Sequence, residues 1–315
     1  YRSDVAAVLQ IPEAESCGFS CVLVVHSPVE TEVAVVYDTV DGEKAYPLCK
    51  IPADPGCNEI QVYTLEGQES IGNIRYFKER YLEETPVFDA KIPSDEVIDI
   101  IIPIYNGLQY FDKLFAGIEK TKMKYRLILV DDQSPDPAVR EYLERYVAEH
   151  EGTVLLRNEK NMGFLPSVNR ALAIAEHHVA LVNTDVEVPE GWLERLMWPI
   201  FTKEKVASST PFTTCGTICS FPNFCEDNVI FEGMPLWQID DAFRQIRPQY
   251  ATMPTGIGFC MGMNLEAIRE VGLLDEENFD KGYGEENDWC QRAIQAGYTN
   301  VQVENLFVYH KHGGS

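Results

Sequence analysis

The sequence predicts an α/β protein. Its mostly parallel central sheet occupies residues 95–315, and a small β-rich, sandwich-like domain over residues 1–94 precedes it. Three observations carry this reading. Val97–Ile104 (VIDIIIPI) is a nearly continuous apolar run, as a strand covered on both faces requires. Beyond it, similar runs alternate with apolar residues at helical spacing. Before Glu96, helix-period patterns are scarce and short β-branched runs dominate.

In the first segment, Ser20–Ser27 (SCVLVVHS) and Glu32–Asp38 (EVAVVYD) read as strands separated by Pro28-Val29-Glu30. Asp41-Gly42 marks a turn, and Glu59–Thr64 (EIQVYT) alternates apolar and polar residues. Glu83–Asp95, with Pro86 and Pro93, reads as a linker. After the Val97–Ile104 strand, Leu108, Phe111, Leu114, Phe115 and Ile118 predict a helix. Arg126–Val130 (RLILV) is a second buried strand. Ser134 and Asp136 precede Pro137, a good first-turn residue, and Val139, Leu143, Tyr146 and Val147 line one face of the next helix. Val154–Arg157 is a third strand, Pro166–Glu176 a third helix and Val179–Val182 a fourth strand. This order implies a parallel sheet that binds ligands at the strands' carboxyl ends. Gly256-Ile-Gly258-Phe-Cys260-Met261 reads as a small-residue strand, close-packed or open to a sugar.

Composition narrows the partners. Hydrophobic residues are 45% and charged residues 24%, the profile of a globular chain. A net charge of −24 repels nucleic acid and anionic lipid surfaces, so neither is an expected partner. An anionic substrate would need a cation beside it, which first points to a metal. No run of about 18 apolar residues exists, so no transmembrane segment is expected. Tyr1-Arg2-Ser3-Asp4 opens with neither a signal peptide nor an initiator Met, so a piece of a longer multidomain chain is expected. The nine Cys form an odd set; Cys215 and Cys219 are too weak a pair for a zinc site. Reduced thiols, and the absence of any Asn-x-Ser/Thr sequon, set the expected address as cytoplasmic, peripheral to a membrane at most through other regions or partners.

Three strand ends carry unusual polar groups: Pro103-Ile104-Tyr105-Asn106-Gly107, Asp131-Asp132-Gln133-Ser134, and Asn183-Thr184-Asp185-Val186-Glu187. Each alone is ordinary turn and cap chemistry; together at one sheet edge they point to a shared ligand site. The pieces IIIPIYNG, LILVDDQSPD, RNEKNMGFLPSVNRAL, VALVNTDVEVPEGWL, GYGEENDWCQRA and VYHKHGGS, in that order, resemble a family 2 glycosyltransferase of the GT-A fold, similar to bacterial rhamnosyltransferase-like members, over about two thirds of the chain.

That resemblance implies a nucleotide-sugar-binding domain and the following roles. Pro103, Tyr105 and Asn106 would flank base and ribose, and Asp132 would accept bonds from the nucleobase. Asn161, Gly163 and Asn169 would line the nucleotide pocket, with Thr184 on the nucleotide-sugar. Asp185 matches the last acid of the family's metal signature, whose first acid is Asn183 here, and Asn183 or Glu187 would help. His310 matches a metal- or diphosphate-binding His; His312 points the same way along an extended segment. Glu286 would be the catalytic base, in a position where the family more often has Asp, with Glu285 beside it and Asp288 contacting the acceptor or orienting neighbours. Acids in a first helical turn also serve the helix dipole, an alternative left open.

The implied enzyme is a metal-dependent hexosyltransferase with Mn²⁺ or Mg²⁺ as cofactor. It would use a UDP- or dTDP-sugar donor and a glycan or lipid-linked acceptor, invert the anomeric carbon, and act in bacterial surface polysaccharide synthesis. A diphosphate leaving group gathers charge that a divalent cation offsets, and phosphate oxygens complete its shell, so few protein ligands suffice. IPIYNGLQYF lacks the Gly-rich loop of a nucleotidyltransferase and the G-x-G-x-x-G of a dinucleotide oxidoreductase. Asn183 keeps one alternative open: a catalytically inactive nucleotide-sugar or carbohydrate-binding scaffold.

Overall fold

A computed structural model describes residues 95–228, 234–246, 248, 250–279 and 284–311, residues 30 and 53, and the backbone of four strands nearer the N-terminus. The linker expected over Glu83–Asp95, except for Asp95 itself, and His312 lie outside the described residues. The chain divides into two compact units, 1–83 and 84–315.

In the first unit, β1 (Leu23–His26) pairs antiparallel with β4 (Gln61–Thr64), and β2 (Thr31–Thr39) with β3 (Gly42–Ile51). Strands were expected at three of these places. The fourth, β3 (GEKAYPLCKI), escaped notice because charges and Pro47 break its alternation. Pro47 falls at the register shift in the ladder, where a proline's missing N–H does least harm.

The second unit is built on an eight-stranded sheet. Its elements are β5 (Val97–Ile104), α1 (Leu108–Glu119), β6 (Lys124–Asp131), α2 (Pro137–Glu149), β7 (Val154–Arg157), α3 (Phe164–Leu172), β8 (His178–Val182), β9 (Val186–Glu187), α4 (Trp192–Thr202), β10 (Val206–Phe212), α5 (Leu236–Phe243), β11 (Tyr250–Met253), β12 (Cys260–Met263), α6 (Leu265–Val271), α7 (Glu285–Gln295), β13 (Thr299–Phe307) and β14 (Tyr309–His310). The strand order is β11-β13-β10-β12-β8-β5-β6-β7. Strands β7, β6, β5 and β8 are parallel, as are β10 and β13, while β12 and β11 run antiparallel to their neighbours. A second, two-stranded sheet pairs β9 with β14.

The apolar run of β5 now has its cause. Ile98, Ile100, Ile102 and Ile104 enter one core with α1, α2 and α4, whereas Ile101 enters another with α3, α6 and α7. Alternate residues point to opposite faces, and both faces are covered. Asp99 interrupts the run because Arg126 grips both its oxygens, at 2.7 and 2.8 Å. Asp99 also accepts the N–H groups of Glu176 (2.7 Å) and His177 (3.1 Å). That explains two departures from expectation. Helix α3 stops at Leu172 instead of Glu176 because those N–H groups are drawn to Asp99. It starts at Phe164 because Gly163, at φ 91°, turns the chain just before it.

Helices α4 and α5 are joined by a buried ion pair. Arg195 donates to both carboxylate oxygens of Asp240 (2.8 and 2.7 Å) and to the carbonyls of Asn305 (2.8 Å), Glu190 and Gly191 (both 3.0 Å). Both side chains are almost wholly buried. Asp240→Ala would strand the guanidinium charge away from water. Chemical denaturation should therefore record a loss of about 3–5 kcal/mol, the scale for breaking one half of a buried pair.

Candidate functional site

The carboxyl ends of β6, β5 and β8 lie side by side and bring the three polar strand ends to one edge. The chain leaves β5 through Asn106 and Gly107, both left-handed at φ 59° and 81°, a region Asn and Gly reach most readily. The Asn106 N–H donates to Ser134 Oγ at 3.0 Å, and Ser134 N–H donates to Asp131 Oδ1 at 2.9 Å, so the first two loops are tied together. Tyr105 stays 46% exposed beside them. Asp136 caps α2 as its sequence position suggested, accepting from Ala138 N–H at 2.9 Å.

Asp132 is buried and organises the loop leading into α3. Its Oδ1 accepts from Asn158 Nδ2 (2.7 Å) and Met162 N–H (2.8 Å), and its Oδ2 from Gly163 N–H (2.8 Å). One acceptor position on Oδ2 is left unused by these bonds. Asn158, absent from the expected set, is therefore as much part of this corner as Asp132; its Nδ2 also donates to Ser167 Oγ at 2.8 Å. Asn161 is exposed.

Asn169 departs from expectation. Its amide donates to Leu274 O (2.8 Å) and Glu276 Oε1 (2.7 Å) and accepts from Leu274 N–H (3.0 Å), so it is spent fastening α3 to the loop before α7. Thr184 is buried next to Gly107, where a Cβ would lie 3.3 Å from Thr184 Oγ1.

Asn183 and Asp185 are different in kind. Asn183 Oδ1 and both carboxylate oxygens of Asp185 are buried, and among the described residues none has a well-formed hydrogen bond. Leaving three acceptors orphaned costs several kcal/mol unless something positive meets them. The β9–β14 ladder, which sets His310 opposite Val186, brings the imidazole to this spot. His310 Nε2 stands 3.4 Å from Asp185 Oδ1, within ion-pair reach and too far for a well-formed hydrogen bond. Burial works to lower the His310 pKa, but the Asp185 and Cys215 side chains more than offset it and lift it to about 9. Its Nδ1 lies 3.3 Å from the Cys215 carbonyl, which turns Nε2 toward Asp185.

Among the described residues no three His, Cys, Asp or Glu side chains form a ready metal cage. The orphaned oxygens and Nε2 nevertheless fit a divalent cation that takes the rest of its shell from phosphate and water. Glu187, the other expected helper, pairs with Lys113.

The acids of α7 meet this edge through Gly258 and Phe259. Gly258 N–H donates to Glu286 Oε1 at 3.2 Å, and a Cβ on Gly258 would stand only 2.5 Å from that oxygen. Phe259 O accepts from Asn183 N–H at 2.9 Å, and its ring stacks on His310 at 4.9 Å between centroids. The strand expected from Gly256 begins only at Cys260, because these preceding residues bond to α7 and the β8 loop instead. Gly258 was singled out for close approach; the group that approaches is Glu286.

Burial pushes the Glu286 carboxyl up, and backbone N–H bonds, Gly258's among them, pull back only part of it. Glu285 is buried, with Oε2 unpartnered, and is also pushed up, first by burial and then by the charge of Glu286. Asp288 turns away to Arg292, 2.8 Å from its Nε, which carries it to the carbonyls of Val271 and Leu273.

Known proteins share this arrangement of elements. The chain is similar to N-acetylgalactosaminyltransferase 7 of Drosophila melanogaster, 26% identical over 68% of the chain and 40% of that protein. It is also similar to polypeptide N-acetylgalactosaminyltransferase 18 of Mus musculus, 26% identical over 64% of the chain and 34% of that protein. The chain thus spans well under half the length of these relatives. Among solved structures, GalNAc-T7 with UDP, GalNAc and Mn²⁺ superposes with a TM-score of 0.56 at 17% identity, over 78% of this chain and 53% of that one. The mannosyltransferase PcManGT of Pyrobaculum calidifontis, with GDP-Man and Mn²⁺, gives 0.50 at 16% identity, over 78% and 66%. Both likenesses concern the fold, which is GT-A. The profile described as glycosyl transferase family 2 matches residues 99–272, more than half of the chain, and the chain belongs to that family.

Proposed function

We propose that residues 95–315 form a glycosyltransferase domain that moves a sugar from a nucleoside-diphosphate donor to an acceptor hydroxyl with inversion, and that residues 1–94 form an accessory β module. The observation that carries this reading is the buried Asp185 carboxylate with His310 Nε2 3.4 Å from its Oδ1, at the carboxyl edge of a GT-A sheet and two residues along the same loop from the buried Asn183 Oδ1. Asp185, His310 and Asn183 would hold a divalent cation, Mn²⁺ or Mg²⁺. When bound it would offset the charge gathered by the departing diphosphate.

The chain's own groups supply the rest. Tyr105, exposed beside Pro103 and Asn106, offers a ring to the base, and the remaining lone pair of Asp132 and the turn at Gly163 shape the nucleoside corner. Glu286 takes the proton of the acceptor hydroxyl. The oxygen bonds to the anomeric carbon as the carbon–oxygen bond to the diphosphate breaks, and the proton stays on the Glu286 carboxyl. Glu285 lies beside it, its own carboxyl pKa raised by burial and by the Glu286 charge, and Asp288 orients α7 through Arg292. Curated relatives named as N-acetylgalactosaminyltransferases favour UDP-N-acetylgalactosamine over a dTDP-sugar as donor. Both come from animals, which offers nothing in favour of a bacterial surface-glycan setting.

Asp185→Ala should abolish Mn²⁺-dependent binding of UDP in titration calorimetry while leaving the melting temperature within a few degrees of the parent. Unchanged affinity would remove Asp185 from the metal site. Glu286→Gln should lower turnover by about 10² or more with donor affinity nearly unchanged. A base must be ionised, and this one holds its proton above the ordinary value of 4.5. Activity should therefore fall as pH drops through that raised value, so the acid limb of kcat/KM lies above 4.5 in the parent. A limb at or below it would place the base elsewhere.

A further inference from the structure

A cavity of about 300 Å³ opens between the first turns of α1 and the β9–β14 ladder, with Asp185 on its wall. Its other walls include Tyr110 and Lys113 from α1, Glu187 from β9, Tyr309 from β14, and Lys311. Two cations lining one small cavity are unexpected on a chain of net charge −24. Lys113 is neutralised by Glu187. Lys311 is not: among the described residues its ammonium forms no ion pair and lies 5.7 Å from the centroid of the Tyr110 ring.

The backbone fixes where that ammonium sits. Lys311 N–H donates to Asp185 O at 3.1 Å, so the residue is stitched to the same loop that carries the orphaned carboxylate. Successive residues of an extended segment point to opposite sides. His310 therefore serves the Asp185 carboxylate, while Lys311 serves the cavity next to it. The Tyr110 face holds the ammonium without consuming its hydrogen-bonding protons.

Resting on the donor reading above, we propose that this cavity receives the terminal phosphate of the nucleoside diphosphate and that Lys311 is its counter-charge. Asn183 gives the loop one negative charge fewer than an acid would, and a lysine flanking Asp185 adds a fixed positive charge on the other side. As the bond between the sugar and the diphosphate breaks, the electron pair goes to the terminal phosphate oxygen. An ammonium already in place stabilises that charge without reorganisation.

Calorimetry on the whole chain, with UDP and uridine as probes in the presence of Mn²⁺, tests this. Lys311→Gln should weaken UDP about tenfold and leave uridine unchanged, while Lys311→Arg should restore most of the UDP affinity. Equal UDP affinity in Lys311→Gln overturns the proposal, and so does a matching loss for uridine, which would signal a general distortion. If the parent binds UDP but the variant behaves like it, only this assignment fails. If the parent binds no UDP, dTDP or GDP at all, the donor reading fails and takes the assignment with it.

Discussion

Strand β12 runs antiparallel to β8, pairing Cys260 with Val182, and that reversal decides what can meet at the carboxyl edge. In a wholly parallel sheet, the residues entering a strand lie at the far end from the ligand. Here the entry to β12, Gly258 and Phe259, emerges beside the end of β8. Its three links follow: an N–H to Glu286, a carbonyl to Asn183 and a ring against His310. Two residues thereby join three elements far apart in sequence: the loop after β8, the acid-bearing helix and the final short strand. A glycine at the first leaves room for the Glu286 carboxylate, which a side chain there would have to displace.

The electrostatics follow from the same constraint. The side-chain oxygens of Asp185 and Asn183 are buried at this edge, and burial also acts on the Glu286 carboxyl. Desolvation raises the Glu286 pKa toward the range useful for proton abstraction, and it leaves the Asp185 oxygens able to respond strongly to a cation. With no cation, His310 carries the compensating positive charge, which is why its pKa rises despite burial.

Much of this was legible in the sequence because the signals are local. The unbroken run in β5, the spacing of Phe111, Leu114, Phe115 and Ile118, and the Asp136-Pro137 start of α2 each follow from one stretch of chain. What was not legible depends on pairing across distance. Asn169 has the residue type and neighbourhood of a pocket residue, and only the position of Leu274 reveals that its amide is spent. Glu187 follows the metal loop directly, yet Lys113, on a different helix, claims it. The role of Gly258 could be read as close approach but not its partner, since the direction of β12 is set by the sheet and not by the strand itself. The family profile ends at residue 272, so Glu286, His310 and Lys311 stand on sequence motif and geometry alone.

The central claim is that Asn183, Asp185 and His310 surround a divalent cation shared with a diphosphate. A crystal of the chain grown with UDP and Mn²⁺, with anomalous scattering collected for manganese, addresses it most directly. The account predicts one anomalous peak in coordination distance of Asp185 and of diphosphate oxygens, with His310 turned to the same ion. Ordered UDP with no manganese at Asp185, or manganese bound at another set of side chains, would contradict it.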